Sequence, residues 1–151
     1  MSFLSLSRAA AILLMLSGPS FAAGSDTGSS SKATKPGYAE AKAAVDAGNY
    51  TQALKILAPV VKAEPKNADA WNLMGFASRR LKHFTEAARY YDIALRTNPK
   101  HIGALEYQGE LFVETGAYDK AKQNLKLLQS ICGTCEEAID LQAALAAKGQ
   151  S

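Results

Sequence analysis

The feature that most constrains the fold of this chain is an internal repeat with a step of 34 residues. Aromatic residues keep this step at Tyr50, Phe84 and Tyr118. The further columns are Ala41, Gly75 and Gly109; Gly48, Lys82 and Gly116; Ala53, Ala87 and Ala121; and Leu57, Tyr91 and Leu125. A step of about 20–50 residues is typical of repeat proteins, in which each unit buries its apolar face against its neighbours.

Apolar residues within each repeat have the spacing of a helix and not the alternation of a strand. Leu54, Leu57 and Val61, for example, lie on one helical stripe. Pro65 and Pro99 follow two of these segments, and proline cannot continue a helix. The pattern predicts an all-α fold with helices near residues 37–47, 51–63, 68–81, 85–97, 102–114, 118–131 and 135–147.

The residue types at two of these sets of equivalent repeat positions have a clear physical reason. Antiparallel helices approach closely only where side chains are small, so we expect Ala41, Gly75 and Gly109 to face Ala53, Ala87 and Ala121. Gly48 and Gly116 occur where the first helix of a pair ends, a position that favours a left-handed residue. Lys82 holds that position in the second repeat and should be locally strained.

The stretch from Trp71 to Phe76, followed by Phe84, Ala87, Tyr91, Ala94 and Pro99, resembles a tetratricopeptide repeat. The resemblance implies an α-solenoid of three helix-turn-helix repeats with a C-terminal capping helix. The first repeat has Gly37 where the second has Trp71, and the third has Gly133 in place of the closing proline. The expected boundaries are 34–67, 68–101 and 102–135 for the repeats, and 136–151 for the capping helix and tail.

The last predicted helix has the features of a cap for the stack. A terminal repeat exposes an apolar face that needs a cover, and Ile139, Leu141 and Leu145 give this helix an apolar side. Thr134 is expected to cap its first turn, with Glu137 as the second member of a capping box.

The resemblance also implies a partner-binding site, because the first helix of each pair lines a concave groove that binds peptides or partner helices in this family. Phe76 is expected to be an exposed aromatic in that groove, and exposed aromatics and arginines are common interface anchors. The implied groove residues are Tyr38, Lys42, Asn72, Phe76, Arg79, Arg80, Glu106, Tyr107, Glu110 and Glu114.

Three of these residues, Glu106, Glu110 and Glu114, recur every four positions and therefore share one helical face. Like charges at this spacing repel each other, which leaves two interpretations. The stripe binds a basic partner, or it is a solvated face with Arg79, Arg80 and Arg96 as internal counter-charges. In either case the acidic third repeat disfavours a receptor for the acidic C-terminus of a chaperone, since relatives of that kind need basic and asparagine residues across the groove.

The N-terminal segment has the pattern of a secretory signal. Arg8 precedes the apolar run 9–16, Gly18 and Pro19 end it, and small residues precede a cleavage site expected after Ala22. Residues 1–22 are therefore predicted to be a signal peptide, with no membrane span after cleavage. Residues 23–36 are poor in large apolar residues and are predicted to be a flexible linker. The expected location is the bacterial periplasm or the exterior.

The sequence Cys132-Gly133-Thr134-Cys135 has several interpretations. In an oxidising compartment a disulfide between Cys132 and Cys135 is favoured. A redox-active pair, a zinc site and two free thiols stay open as alternatives. Thioredoxin-like enzymes place such a pair in a βαβ unit, and haem attachment requires histidine after the second cysteine. The chain's histidines, His83 and His101, lack zinc-ligand spacing with the pair.

No other motif indicates catalysis, and 17 basic against 14 acidic residues give no field that would attract nucleic acid. We therefore expect a non-catalytic scaffold or adaptor in the bacterial envelope, without cofactor or metal, that binds a protein or peptide segment in its groove. A homodimer is a further candidate. The alternative function is that of a thiol-disulfide redox partner using Cys132 and Cys135.

Overall fold

The computed structural model describes residues 37–150, and this part of the chain contains seven α-helices and no strand. The all-α prediction is confirmed. The predicted signal peptide and linker, residues 1–36, lie outside the described residues. The helices are α1 Tyr38–Asp46, α2 Tyr50–Ala63, α3 Ala68–Arg80, α4 Phe84–Thr97, α5 Ile102–Glu114, α6 Tyr118–Cys132 and α7 Glu136–Ala146.

The helices form two layers. In the inner layer α1 contacts α3, α3 contacts α5, and α5 contacts α7. In the outer layer, within the described residues, α2, α4 and α6 contact only inner-layer helices and not one another. Neighbouring repeats are therefore closer together on the inner side, which makes that side of the solenoid the concave one.

The turn between the two helices of each repeat is closed by a residue in the left-handed conformation. Gly48 has a φ of 75° and Gly116 a φ of 77°, and Lys82 has a φ of 63°. At the middle turn the amide of His83 donates to the carbonyl of Ser78 at 2.9 Å, and equivalent bonds occur at the other two turns. These are Schellman closures. The strained conformation predicted for Lys82 is confirmed.

The close approaches between helices differ in their partners from the expectation. A methyl group on Gly75 would lie 2.5 Å from the ring of Tyr91, and one on Gly109 would overlap Leu141 of α7. The closest neighbours of these glycines are therefore large side chains and not the predicted alanines. Tyr91 and Leu141 are fully buried, so each glycine provides the space for a large side chain of the facing helix.

The capping helix α7 covers the third repeat with Ala138, Leu141 and Leu145, which are buried against α5 and α6. Two expectations for this helix are wrong. Ile139 is 55% exposed and does not belong to the apolar side. Thr134 does not cap the helix, since the N-cap residue is Cys135 and no side chain makes a capping hydrogen bond.

A disulfide joins Cys132, the last residue of α6, to Cys135, and the two Cα atoms are 5.6 Å apart. The link encloses Gly133, which has a φ of 67°. With Cys135 as its N-cap, α7 begins one residue later than a capping box formed by Thr134 and Glu137 would require. The disulfide thus connects the last repeat to its cap.

The left-handed position of Lys82 leads to a stability prediction. The variants Lys82→Gly and Lys82→Ala both remove the ammonium group, which lies 2.8 Å from Glu114 and above the ring of Phe84. Only glycine adopts a positive φ without steric cost, so Lys82→Gly should be more stable than Lys82→Ala by about 1 kcal/mol. Urea unfolding followed by circular dichroism measures this difference. Equal stability of the two variants would contradict the assignment of strain to Lys82.

Candidate partner-binding face

The predicted groove residues lie on the inner layer, and the repeat step arranges most of them in rows across α1, α3 and α5. Residues separated by 34 positions occupy equivalent places on neighbouring inner helices. We call the surface made by these rows and their immediate neighbours the inner face. The rows are Tyr38, Asn72 and Glu106; Lys42, Phe76 and Glu110; and Arg80 and Glu114, with Arg79 and Tyr107 beside them.

Helix α7 extends the rows, which the sequence analysis missed. Asp140 is 34 residues beyond Glu106, and Glu137 is 34 residues beyond Gly103. Both carboxylates lie close enough to Glu106 to interact with it electrostatically. The signal that could have revealed them was the repeat step itself, continued by one more unit into the cap.

A chain of three aromatic rings crosses the inner face. The ring centroids of Tyr50 and Phe76 are 6.2 Å apart, and those of Phe76 and Tyr107 are 4.9 Å apart. Phe76 is half-buried between its two neighbours, so the expectation of an exposed side chain is wrong. Tyr50 opens α2, and its ring also contributes to this surface.

Arg79 lies beneath the surface and joins α3 to α5. Its residue is 8% exposed. Its Nη1 is 2.5 Å from Glu114 Oε1, and its Nη2 is 2.5 Å from Glu110 Oε2. The guanidinium carbon is 5.6 Å from the ring centroid of Phe76 and 5.9 Å from that of Tyr107. Two ion pairs and two rings therefore hold this side chain in one orientation.

Arg80, the neighbour of Arg79, is exposed. Its guanidinium carbon is 5.0 Å from the ring centroid of Tyr50 and 5.6 Å from that of Phe76. At the other end of the face, Lys42 Nζ lies 2.8 Å from Asp46 Oδ2 in an exposed pair within α1. Exposed pairs of this kind contribute little to stability, so Lys42 and Arg80 offer cationic groups that can exchange partners.

Two residues of the acidic stripe have internal counter-charges. Glu110 and Glu114 both bind Arg79, and Glu114 also accepts a bond from Lys82 Nζ at 2.8 Å. Burial acts to raise the pKa of Glu114, but the bonds from Lys82 and Arg79 outweigh it and lower the pKa. Burial raises the pKa of Glu110 although Arg79 opposes the shift. Arg96, which was expected to help, is exposed in the last turn of α4 in the outer layer and makes none of these ion pairs.

Glu106 is different from the other two. It is 7% exposed, and no side chain among residues 37–150 forms a hydrogen bond or ion pair with its carboxyl group. Burial and the nearby charges of Glu110, Glu137 and Asp140 raise its pKa to about 8, against the opposing influence of Arg79. A buried carboxyl without a partner is costly, so this residue is not explained by the packing of the repeats.

Polar contacts fix the third repeat against the second. At the N-terminus of α5, His101 Nδ1 accepts the amide of Ala104 at 3.1 Å, and His101 Nε2 lies 3.1 Å from Asp69 Oδ1. Deeper in the interface, Gln108 Nε2 donates to Asp92 Oδ1 at 2.7 Å.

Tyr38, at the start of α1, is half-buried, and burial together with the charge of Asp69 raises its pKa.

Two models of the tetratricopeptide repeat family match the chain, one over residues 38–82 and the other over residues 68–101. Solved structures agree with this assignment. The first tetratricopeptide domain of Spaghetti (RPAP3) bound to the HSP90 peptide SRMEEVD superimposes with a TM-score of 0.68, at 19% identity over 75% of this chain and 90% of that one. The chain therefore belongs to the tetratricopeptide repeat family.

Further similar structures include the TPR2B domain of yeast Sti1 in complex with pHsp70, with a TM-score of 0.69 and 17% identity over 76% of this chain and 94% of that one. MamA is also similar, with a TM-score of 0.67 and 22% identity over 76% of this chain and 67% of that one. No curated protein has a significantly similar sequence. At these identities the likeness to solved structures establishes the fold alone.

The inner face offers shape and charge for a ligand but no metal centre. Among residues 37–150, no group of three or more His, Cys, Asp or Glu side chains is arranged to hold a metal ion. In the same part of the chain, no helix has both the length and the apolar character that a membrane crossing requires.

The unpartnered carboxyl of Glu106 leads to a prediction on stability and pH. Its folded pKa of about 8 lies above the ordinary value of 4.5. The unfolded chain therefore releases this proton first, and the folded state loses stability as the pH rises from about 4.5 to about 8. Glutamine does not titrate, so Glu106→Gln should raise the free energy of unfolding at pH 8.5 by about 1–3 kcal/mol, with a smaller effect at pH 5.

Urea unfolding at the two pH values measures this effect. Glu86→Gln, at an exposed position in the first turn of α4, is the matched control and should change stability by less than about 0.5 kcal/mol. A Glu106→Gln variant that is less stable than the wild type at pH 8.5 would show that the carboxylate is satisfied in the fold.

Proposed function

We propose that this protein is a non-catalytic scaffold that binds a segment of a partner protein along its inner face. The tetratricopeptide fold supports a protein-interaction scaffold, because neighbours of the same fold are complexes with an HSP90 peptide and with pHsp70. The observation that carries the proposal is the continuous surface of Tyr50, Phe76 and Tyr107 with Arg80 above it. Aromatic and arginine side chains of this kind dominate binding energy at protein interfaces.

The inner face is also prepared for binding before a partner arrives. The ion pairs of Arg79 with Glu110 and Glu114 hold α3 and α5 together beneath the aromatic rings. A surface that is already ordered loses less conformational entropy when it binds. The face therefore supports recognition of an extended or helical segment without a large rearrangement of the repeats.

The end of the partner segment that meets α5 and α7 is basic or apolar in this proposal, and not acidic. The HSP90 peptide SRMEEVD in the similar structure carries acidic residues at its end. The inner face of this chain presents Glu106 and Glu110 from α5 and Asp140 from α7. Like charges across an interface cost several kcal/mol, which makes a chaperone-tail receptor a poor candidate.

The proposed location is the bacterial envelope. Its support is the signal-like pattern of residues 1–22 and the disulfide between Cys132 and Cys135, since disulfides persist in oxidising compartments. A homodimer formed through an uncovered face of the first repeat stays a further candidate. If the protein only self-associates, affinity capture from an envelope extract should recover no other envelope protein.

The alternative function, thiol-disulfide exchange by Cys132 and Cys135, has weaker support. The pair links the end of α6 to the start of α7 and does not follow a strand of a βαβ unit. Glu136 and Glu137 lie in the first turn of α7 beside Cys135. Negative charges at this position disfavour the thiolate that redox chemistry requires.

A charge-reversal variant of the inner face tests the proposed function. Arg80→Glu keeps the fold, because Arg80 is exposed, but it places a negative charge above Tyr50 and Phe76. We expect it to reduce recovery of partner proteins from an envelope extract of the source organism by about tenfold or more. Quantitative mass spectrometry of affinity-captured proteins gives the measurement.

The matched control is Arg89→Glu, which makes the same charge change at an exposed position of the outer helix α4. It should recover the same partners as the wild type. If Arg80→Glu also captured them at the wild-type level, the inner face would not be the binding surface.

A further inference from the structure

Two hydrogen-bond acceptors on the inner face lack donors. Asn72 Oδ1 is buried and has no hydrogen-bond partner. The carboxyl group of Glu106, on the neighbouring inner helix at the equivalent repeat position, is also without a hydrogen bond or ion pair from residues 37–150. Most buried polar groups in folded proteins are hydrogen-bonded. Asn72 Oδ1 is closed off from solvent without a donor, and the carboxyl group of Glu106, whose oxygens keep some contact with solvent, is a second acceptor without a partner in the same row.

Gly103 of α5 lies beside Asn72 and is three residues before Glu106. Gly103 lies so close to Asn72 that a methyl group on it would be 3.3 Å from Asn72 Nδ2. Glu106 is three residues further along α5 and shares the face of Gly103. Asn72 and Glu106 are thus both neighbours of Gly103, a position in the first turn of α5 that has no side chain.

The cap adds negative charge to the same place. Glu137 and Asp140 of α7 are the repeat equivalents of Gly103 and Glu106, and both interact electrostatically with Glu106. Asp140 is exposed and Glu137 is half-buried. We call Asn72, Glu106, Glu137 and Asp140 the acidic subsite.

We propose that the acidic subsite binds one lysine or arginine side chain of the partner segment. This inference rests on the proposed function and specifies its chemistry. A lysine ammonium has three donors and no acceptor, and an arginine guanidinium has five donors and no acceptor. Such a group can donate hydrogen bonds to the unpartnered acceptors of the acidic subsite, and its positive charge balances the carboxylates of the subsite. A metal ion is a poorer fit, because the described residues contain no group arranged as metal ligands.

The chain's own cations do not serve this purpose. Arg79 Nη1 and Nη2 are bound to Glu114 and Glu110, and Lys82 is bound to Glu114. Arg79 and Lys82 therefore neutralise Glu110 and Glu114, whereas Glu106 forms no hydrogen bond or ion pair with residues 37–150. The internal cations balance the negative charges of Glu110 and Glu114. A cation of the partner would balance the charge of Glu106.

Binding of a cation here is coupled to proton release. The titratable and charged groups that face Glu106 are Glu110 and Tyr107 on α5, Arg79 on α3, and Glu137 and Asp140 on α7. With the pKa of Glu106 at about 8, the carboxyl is mostly protonated at pH 6.5. A bound ammonium group favours the carboxylate, so affinity should increase by about tenfold between pH 6.5 and pH 8.5.

The test uses three acetylated and amidated heptapeptides with lysine, arginine or norleucine at the centre of a Gly-Ser sequence. Norleucine keeps the apolar stem of lysine and removes its charge. Titration of the isotope-labelled protein, followed by amide NMR, reports both the affinity and the location of each peptide. We expect the lysine and arginine peptides to shift amides of α5 and α7 at pH 8.5, and the norleucine peptide to shift neither.

The variant Glu106→Gln should weaken binding of the lysine peptide by about tenfold or more and abolish its pH dependence. The variant is expected to fold, because it removes a buried charge. Glu86→Gln, exposed on α4, is the control and should bind as the wild type does. No shift with either cationic peptide up to millimolar concentration, or equal binding of the norleucine peptide, would overturn the subsite.

The two proposals fail in different ways. If Arg80→Glu loses partner proteins and Glu106→Gln retains them at pH 8.5, the inner face binds partners but the acidic subsite does not receive a cation. If both variants retain all partners, the scaffold function of the inner face fails as well.

Discussion

The close approach of helices at the small-residue columns is the constraint on which the rest of this structure depends. Gly75 allows α3 to lie against the buried ring of Tyr91, and Gly109 allows α5 to lie against Leu141 of the cap. Protein interiors are packed as closely as organic crystals, so a side chain at either glycine would push two helices apart. The 34-residue step repeats the small residue, whereas its large neighbour belongs to α4 at Gly75 and to α7 at Gly109.

The register of the inner helices has consequences for function. It places Phe76 beside Tyr107, and it brings Arg79 within reach of Glu110 and Glu114 on the next helix. Each of these contacts joins the second repeat to the third, so the same packing that stabilises the stack also orders its inner face. Glu106 is the exception, because its burial decreases stability without a compensating bond. Residues that oppose stability in this way are expected at functional sites.

The sequence predicted the features that depend on local signals. The helix periods and the left-handed turn residues are properties of short segments, and the structure has both. Contacts between helices were less accessible, because they depend on crossing angles and side-chain rotamers that no local pattern encodes. The half-buried state of Phe76 is of this kind, whereas one of the two interpretations of the acidic stripe did include Arg79 as an internal counter-charge. The capping box at Thr134 failed because α7 begins at Glu136, with Cys135 and not Thr134 as its N-cap. Asp140, by contrast, could have been found by extending the repeat step into the cap.

In the proposed function the inner face, and not the outer layer, meets the partner. Site-specific photo-crosslinking in intact cells tests this claim most directly. A benzoylphenylalanine at Phe76 replaces one aromatic residue of the inner face with another, and the same group at Lys126 reports on an exposed position of the outer helix α6. The account predicts discrete adducts with a partner protein from position 76 and none from position 126. Adducts that form from position 126 alone would contradict it.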